Sequence, residues 1–332
     1  MLFIIPYLFP PSRLLETAAA GLHLPALQTL LARGTRQPCP ADGVEAALCE
    51  ALGIARQQDW PLAPLTLAAD GGMAGDVYWL RADPVHLRVM RDRIVLADAD
   101  ALSLSREEAD ALAAAIGQHF GADLSPMPLH PQRWYLRYPL APRLTTTPLS
   151  VAVGRDIDPL LPQGDDAMRF RAELNELQML LHEHPVNQAR EARGELPVNS
   201  LWLWGGGRLP VTCATPVPLY AGNAEAQALG AFCNTRARAL PAHRDAQLFS
   251  GKGVILLDAL TPAGQVGDAY GWREALRELE QGWCVPLRDA LRKIGPQGLQ
   301  LVDPVSGKAL HLHPRDAWKV WRRPRHLISM LS

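Results

Sequence analysis

Side chains that could bind a ligand are concentrated between residues 180 and 210, in the segment LLHEHPVNQAREARGELPVNSLWLWGGGRLP. The segment combines an arginine-bearing helix, a turn, an apolar strand and a glycine-rich corner. The glycines at 205, 206 and 207 follow the strand, where missing side chains let a loop or a ligand approach the backbone closely. The residue types leave two interpretations open, a ligand site and a tight corner between a strand and a loop.

The neighbouring residues predict how this segment is positioned. A helix that begins near Asp165 is expected to stop at Gly194, and Pro197 blocks its continuation. Asn199 can hydrogen-bond its own backbone in the turn that follows. SLWLW then predicts a buried strand that ends at the glycines.

Strand and helix patterns alternate at both ends of the chain. LFII, GVILLDAL and GLQLVDP are typical of buried strands, and LPALQTLLARG and WREALRELEQGWCVPLRDALRKIG are predicted helices. In the middle region, WYLRYP and LSVAVG predict strands, and Ser105 with Glu108 marks the start of the amphipathic helix REEADALAAAIGQHF. We therefore expect an α/β sheet built from both ends of the chain, with an α+β region inserted between them. Ligands usually bind at the strand-end loops of such a sheet.

Composition argues against several classes of protein. The 332 residues suggest about two domains, and a hydrophobic content of 48% is sufficient for a core in each. Lys and Arg number 33 against 34 Asp and Glu, so the charge balance does not indicate nucleic-acid binding. The 5 cysteines are scattered without CxxC spacing, which argues against a disulfide framework and a zinc site. The apolar N-terminus lacks a basic region and is broken by prolines, so we expect a cytoplasmic protein without a membrane segment.

The segment at 180–210 resembles a motif of the archaeal-type, cofactor-independent phosphoglycerate mutases. Those enzymes carry a similar His-Pro-x-Asn-x-x-Arg run, then Gly, then Pro-x-Asn and a Trp-x-Trp-Gly-x-Gly block. The matching residues here are His184, Pro185, Asn187, Arg190, Gly194, Pro197, Asn199, Trp202, Trp204, Gly205 and Gly207. The blocks RWYLRYP, GRDIDPLLP and DVYWLRADP, which contain Arg133, Asp156, Asp158 and Arg81, resemble other parts of the family.

The resemblance implies an alkaline-phosphatase-like α/β core sheet flanked by helices, with an inserted α+β domain. We place the core at residues 1–74 and 180–332 and the insertion at residues 75–179. The resemblance also implies a site for a phosphorylated or carboxylated metabolite. The residues assigned to that site are Arg81, Arg133, Asp156, Asp158, Asn187, Arg190, Asn199, Trp204 and Gly205.

The chain departs from the family where catalytic groups would be expected. The family's first strand ends in Asp-Gly, with an Asp that binds a metal ion, whereas LFII runs into Pro6 and Tyr7. The family's nucleophile is a serine before the second helix, but no serine lies between Ser12 and Ser103. Cys49 and Thr35 are conceivable substitutes at the wrong spacing. No catalytic residue is therefore assigned.

Asp258, Asp268 and Asp303 are the remaining candidates for a metal site. Phosphoryl transfer of this type needs divalent ions that hold the attacking and departing oxygens in line, and these carboxylates alone are too few to bind a pair of ions. The alternative interpretation is that they act as caps and turn residues. We expect no cofactor, with Mn²⁺ or Zn²⁺ required only if the chain is an active enzyme.

The C-terminal stretch HLHPRDAWKVWRRPRHL interleaves basic and aromatic residues. Trp and Arg are common anchors of protein interfaces, so the stretch could bind a protein partner or an anion. The alternative is a terminal helix that docks its tryptophans on the core and leaves its arginines in solvent.

Three functions are consistent with these patterns, and we favour the first. It is a catalytically degenerate member of the mutase branch that binds a metabolite or regulates, similar to the bacterial group labelled RpfE-type regulatory protein. The second is an active, metal-dependent phosphoglycerate mutase or phosphohydrolase with a non-standard site. The third is a structural interaction module that binds no ligand.

Overall fold

The computed structural model of the chain describes residues 1–91, 93–97, 102–213 and 216–332. The chain forms two compact units, one made of Met1–Gly53 with Ala214–Ser332 and the other of Ile54–Cys213. The second unit is thus inserted into the sequence of the first. It extends beyond the predicted insertion of 75–179 at both ends, because the helix at 62–69 and the strand at 200–207 pack with its sheet.

The described residues form strands and α-helices that are numbered here in chain order. The strands are β1 (Leu2–Ile4), β2 (Thr35–Pro38), β3 (Tyr78–Val85), β4 (Leu87–Val89), β5 (Ile94–Leu96), β6 (Met127–His130), β7 (Arg133–Tyr138), β8 (Ser200–Gly207), β9 (Leu219–Tyr220), β10 (Val254–Leu256), β11 (Leu299–Asp303) and β12 (Lys308–Leu312). The helices are α1 (Ser12–Ala18), α2 (Pro25–Arg33), α3 (Val44–Ala51), α4 (Leu62–Ala69), α5 (Arg106–Phe120), α6 (Leu149–Ala152), α7 (Ala167–His182), α8 (Pro185–Ala192), α9 (Ala224–Phe232), α10 (Ala246–Ser250), α11 (Thr261–Val266), α12 (Ala269–Leu279), α13 (Val285–Ala290) and α14 (Leu327–Leu331).

The first unit is built on a six-stranded sheet in the order β2-β12-β11-β1-β10-β9. Strands β11, β1, β10 and β9 are parallel, while β12 and β2 continue the sheet in antiparallel pairs. Phe3 on β1 pairs with Ile255 on β10 and with Leu301 on β11. These strands are apolar because parallel strands are usually covered on both faces. The predicted α/β class is confirmed.

Helices α1, α2, α12 and α13 contribute to one large apolar core with this sheet. Phe3 lies in that core, and its ring packs edge-on against Trp283 with centroids 5.9 Å apart. Helix α3 contacts β1 and α9. None of the helices within the described ranges is long and apolar enough to cross a membrane.

The second unit is built on a four-stranded antiparallel sheet in the order β6-β7-β3-β8. Trp134 on β7 belongs to a core that also contains Leu112 of α5 and Leu177 of α7. Trp79 and Tyr135 belong to a second core, which α4 completes. Strands β4 and β5 form a separate two-stranded sheet in the same unit.

Some local predictions from the sequence are wrong. LSVAVG contains the one-turn helix α6 rather than a strand, because the N–H groups of Val151 and Ala152 bond locally to the carbonyl of Pro148. The single helix expected from near Asp165 is divided into α7 and α8, since Pro185 occupies the first turn of α8.

The long helix predicted after residue 270 is also interrupted. Helix α12 passes into a π-helical turn at Glu280–Cys284 before α13 begins. Pro286, in the first turn of α13, has no N–H, so an α-helical hydrogen bond back to Gly282 cannot form.

The π-helical turn places the carboxylate of Glu280 at the N-terminus of α2. Its Oε1 accepts from the N–H of Ala26 at 2.7 Å and its Oε2 accepts from the N–H of Leu27 at 2.8 Å. Leu24, the N-cap residue of α2, provides no side-chain cap. Glu280 is buried, so these N–H groups and the dipole of α2 stabilise its charge.

We expect Glu280→Gln to lower the free energy of unfolding by about 1–3 kcal/mol, because the amide nitrogen of Gln faces a backbone N–H and leaves that donor unpaired. The matched control is Glu278→Gln, at an exposed residue near the end of α12. For that control we expect a change of about 0.5 kcal/mol or less. Denaturant unfolding followed by circular dichroism measures both variants, and equal losses would contradict the capping role.

Candidate functional site

Arg81 lies in the sheet of the second unit, on β3. Its partners in the register are Tyr135 on β7 and Trp204 on β8. The guanidinium carbon lies 5.5 Å from the ring centroid of Tyr135 and 4.9 Å from that of Trp204. An aromatic face stabilises a cation more strongly when water is excluded. The strand pairing thus holds Arg81 between two rings, with 2% of its surface exposed.

Asp83 lies on the same strand and pairs with Arg81. Nε and Nη2 of Arg81 donate to Asp83 Oδ1 and Oδ2 at 2.9 Å and 2.8 Å. Trp204 Nε1 donates to Oδ2 at 2.7 Å, and the backbone N–H of Trp134 donates to Oδ1 at 3.2 Å. Burial raises the pKa of Asp83, although the Arg81 charge and these hydrogen bonds oppose the shift. The carboxylate is therefore paired on both of its oxygens by protein groups.

A second ion pair lies beside Tyr135. Nε and Nη2 of Arg133 donate to Asp70 at 2.8 Å and 2.5 Å, and Tyr135 Oη donates to the same carboxylate at 2.6 Å. Burial acts to raise the pKa of Asp70, but the hydrogen bonds from Arg133 and Tyr135 outweigh it, so this pKa is lowered. The side chains of Arg133 and Asp70 keep 20% and 10% exposure. We refer to Arg81, Asp83, Tyr135, Trp204, Arg133 and Asp70 as the arginine–aromatic cluster.

Asn187 and Arg190 lie in a different cluster, around α8 and the start of α5. Nη1 of Arg190 donates to Glu108 Oε2 at 2.7 Å, Nε donates to the carbonyl of Leu196 at 2.9 Å, and Nη2 donates to the carbonyl of Leu102. Asn187 Nδ2 donates to the carbonyl of Val198 at 2.7 Å, and its Oδ1 accepts the N–H of the same residue at 2.9 Å. Both side chains join α8 to the polypeptide that leads into β8.

The other polar residues assigned from the resemblance also bond to nearby backbone. Asn199 accepts the N–H of Leu87 at 2.7 Å and donates to the carbonyl of Leu87 at 2.8 Å. Asp156 accepts the N–H of Asp158 at 3.3 Å. Asp158 begins a 3-10 turn, Asp158–Leu160, and lines a small cavity of about 190 Å³ in this unit. The assigned residues are thus distributed over several places, and their role in ligand binding stays a prediction.

The glycine corner packs against protein rather than opening a channel. Gly205 has a left-handed φ of 67° and lies against Leu62 of α4. Gly206 lies against the hydroxyl of Tyr78, where a side chain would collide. The N–H of Gly205 donates to Thr146 Oγ1 at 3.2 Å, and that hydroxyl donates to the buried Asp59 at 2.6 Å. Of the two interpretations left open by the sequence, the tight corner matches this packing.

Several residues of the arginine–aromatic cluster are not evident from sequence motifs. Asp70 and Tyr135 are assigned to the site by no motif of the sequence. The same holds for Thr66, which lies beside the cluster and whose hydroxyl accepts from Arg81 Nη1 at 3.2 Å. One available signal is the alternation in RWYLRY, since Arg133 and Tyr135 must share a face of their strand. No sequence signal placed Asp70 opposite that face.

Asp303 lies at the end of β11 and organises two loops of the first unit. Its Oδ1 accepts the N–H groups of Tyr7 at 3.1 Å, Val305 at 3.0 Å and Ser306 at 3.4 Å. Its Oδ2 accepts the N–H of Phe9 at 2.9 Å. Burial raises the pKa of Asp303, and these backbone hydrogen bonds oppose the shift. Asp303 therefore serves as a turn residue, which is the alternative interpretation from the sequence.

The remaining aspartates do not complete a metal centre with Asp303. Asp268 caps α12 by accepting the N–H of Tyr270 at 3.0 Å. Asp258 is half-buried after β10, and burial raises its pKa. Within the described residues no group of three or more His, Cys, Asp or Glu side chains is placed to hold one metal ion. Phosphoryl transfer with a pair of divalent ions requires more ligands than these aspartates supply. The side chains present therefore do not fit such a metal pair.

The C-terminal stretch does not form the predicted terminal helix. Pro314–Trp318 is a 3-10 turn, and the last helix begins only at residue 327, because Pro324 restricts the backbone in between. Trp318 and Trp321 are 61% and 71% exposed. The prediction that these tryptophans dock on the core is therefore wrong. Binding of a partner or an anion by this stretch stays a prediction.

We expect Asp83→Asn to lower the free energy of unfolding by about 3–5 kcal/mol, because it leaves the buried Arg81 cation without a counter-charge. The control is Asp110→Asn, which breaks the exposed pair between Asp110 and Arg106. That change should cost about 0.5 kcal/mol or less. Denaturant unfolding compares the two variants, and a loss below 1 kcal/mol for Asp83→Asn would show that the buried pair is not needed for stability.

The lowered pKa of Asp70 predicts a pH dependence of stability. The ionised form of Asp70 is favoured in the folded state, so its contribution is fully present above its ordinary pKa of 3.8 and is lost as pH falls through the lower folded value. The stability difference between the native chain and Asp70→Asn should therefore shrink between pH 6 and pH 3, at about 25 °C in urea. In an Arg133→Met background the same difference should lose most of its pH dependence. A difference that grows on acidification would contradict the assignment.

Comparison with known proteins relates the chain to one group of enzymes. It is 30% identical over 155 residues to a protein of Geobacter sulfurreducens named "Probable 2,3-bisphosphoglycerate-independent phosphoglycerate mutase", a match that covers 45% of this chain and 38% of that protein. It is 42% identical over 64 residues to the 2,3-bisphosphoglycerate-independent phosphoglycerate mutase of Methanothrix thermoacetophila, covering 19% of this chain and 16% of that one. The chain thus matches less than half the length of these relatives.

A solved structure, the cofactor-independent phosphoglycerate mutase from Thermoplasma acidophilum, superimposes with a TM-score of 0.43 and 18% identity, covering 94% of this chain and 88% of that one. No protein-family model matches the sequence. Over part of its length, the chain is therefore related in sequence to 2,3-bisphosphoglycerate-independent phosphoglycerate mutases.

Proposed function

We propose that this chain is a catalytically degenerate relative of the 2,3-bisphosphoglycerate-independent phosphoglycerate mutases that acts by binding rather than by phosphoryl transfer. The proposal gives it a regulatory or ligand-sensing role, as the resemblance to the RpfE-type group implies. The observation that carries the proposal is the environment of Asp303.

Asp303 stands at a strand end where the family resemblance would place a metal ligand. Its carboxylate is committed to the N–H groups of Tyr7, Phe9, Val305 and Ser306. Three of these donors share Oδ1 and one uses Oδ2, so most of the roughly four lone-pair positions of the carboxylate are already taken. Tyr7 has a left-handed φ of 61°, and its carbonyl accepts from Trp272 Nε1 at 3.0 Å. This arrangement supports a packed loop in place of a metal-binding loop.

The thiols near the expected nucleophile position also support a non-catalytic role. Burial raises the pKa of Cys49 well above its ordinary value. Burial, together with the charge of Asp303, raises the pKa of Cys39 to about 11. The thiolate is the nucleophilic form of cysteine, so both side chains are protonated near neutral pH.

The proposed ligand is a small phosphorylated or carboxylated molecule. Arg81 and Arg190 are buried and already pair with Asp83 and Glu108. Withdrawing either arginine from its carboxylate would leave an uncompensated buried charge, which is strongly unfavourable. The proposal therefore assigns anion binding to arginines that reach solvent without a carboxylate partner.

We expect no conversion of 3-phosphoglycerate to 2-phosphoglycerate above background in a coupled assay with Mn²⁺ or Zn²⁺ and a chelator control. Circular dichroism before the assay establishes that the protein is folded. Asp258→Ala is the matched variant, because the enzyme alternative requires that residue and the proposed function does not. Metal-dependent turnover in the native chain that is lost in Asp258→Ala would refute the proposed function and support an active enzyme with a non-standard site.

A further inference from the structure

A groove on the surface of the first unit is lined by the side chains of several arginines. Its volume is about 610 Å³, within the range of about 300–1,000 Å³ that is usual for sites of small ligands. Arg36 comes from β2, at the edge of the sheet. Arg322, Arg323 and Arg325 come from the segment that precedes α14, and the exposed Trp321 lies beside them.

The backbone around the groove is anchored to α2 and α14. Gln28 of α2 donates to the carbonyl of Arg325 at 2.7 Å. Lys319 donates to the carbonyl of Arg33 at 3.4 Å, at the end of the same helix. Arg36 donates from Nη2 to the carbonyl of Met330 and from Nη1 to that of Ser332 at 3.3 Å. These contacts position the arginines along a loop that has no regular secondary structure of its own.

The groove carries positive charge that nearby acidic side chains do not neutralise. No Asp or Glu is among the described residues that line it. Asp316, the acidic residue of the C-terminal stretch, pairs with Lys319 at 2.6 Å and not with a groove arginine. Across the described part of the chain, the side chains of Arg323 and Arg325 make no ion pair or hydrogen bond with protein groups. Arg81 and Arg190, by contrast, each have a carboxylate partner.

We propose that this groove binds one small organic anion that carries a phosphate and a second anionic group. Arg323 and Arg325 supply planar donors that match phosphate and carboxylate oxygens. Arg36 also lines the groove and supplies a further positive charge. Trp321 is 71% exposed and provides an apolar face for the carbon skeleton of the ligand. The inference rests on the proposed function and adds a binding site for its ligand.

The test is calorimetric titration of the full chain with 3-phosphoglycerate. A second titration with inorganic pyrophosphate, which has phosphate groups but no carbon skeleton, shows whether the groove prefers an organic ligand. We expect one molecule of 3-phosphoglycerate to bind per chain. Its dissociation constant should be lower than that of pyrophosphate. Arg323→Ala with Arg325→Ala should weaken binding by at least about tenfold. The matched control is Arg13→Ala with Arg236→Ala, which removes the same charge at exposed positions of the same unit and should weaken binding by less than about twofold.

A conservative pair, Arg323→Lys with Arg325→Lys, distinguishes a positioned site from general attraction. It keeps the charge but removes the planar pair of donors, so we expect binding weaker than that of the native chain. All variants change exposed side chains, and unchanged melting temperatures without ligand establish that they fold.

Equal losses in the groove variant and its matched control would overturn the proposal, as would no measurable binding of 3-phosphoglycerate. Tighter binding of an acidic peptide than of 3-phosphoglycerate would also overturn it, since the groove would then serve a protein partner. The two proposals fail separately. Metal-dependent turnover refutes the proposed function whatever the groove binds, whereas absent binding without turnover refutes only the groove assignment.

Discussion

Buried charges in this protein need partners within the fold, and that constraint determines how both units are organised. In the first unit, the carboxylate of Asp303 gathers the N–H groups of the loops after β1 and β11. Glu280 does the same for the start of α2. Each carboxylate replaces the hydration that it loses on burial with several amide donors. The end of β11 is the kind of place where a ligand often binds in an α/β sheet, and Asp303 uses it here to fix loops.

The same constraint decides the role of the arginines in the second unit. Arg81 is stacked between aromatic rings and paired with Asp83, and Arg190 is paired with Glu108. Other arginines reach solvent and have no carboxylate beside them. Their donors remain available to an anion. The contrast between these buried pairs and Arg323 in the C-terminal groove separates arginines that stabilise the fold from those proposed to bind a ligand.

Local sequence signals predicted the elements that depend on nearest neighbours. The capping box of Ser105 and Glu108 is present at the start of α5, and the apolar runs predicted β1 and β10. Predictions were wrong where a proline or a distant partner intervened. Pro185 divides one expected helix, and the π-helical turn before Pro286 follows from backbone chemistry that periodicity alone does not reveal.

The sequence by itself determined the α/β class, because that class depends on residue types and their periodicity. It also offered several arginines that could bind an anion, without deciding among them. Only the tertiary structure decided which arginines are already paired. Asp70 and Arg133 are far apart in the chain, as are Tyr7 and Asp303, and no spacing rule connects them. The availability of a charge for ligand binding depends on what the fold places beside it, since a buried ion without a partner is too costly to keep.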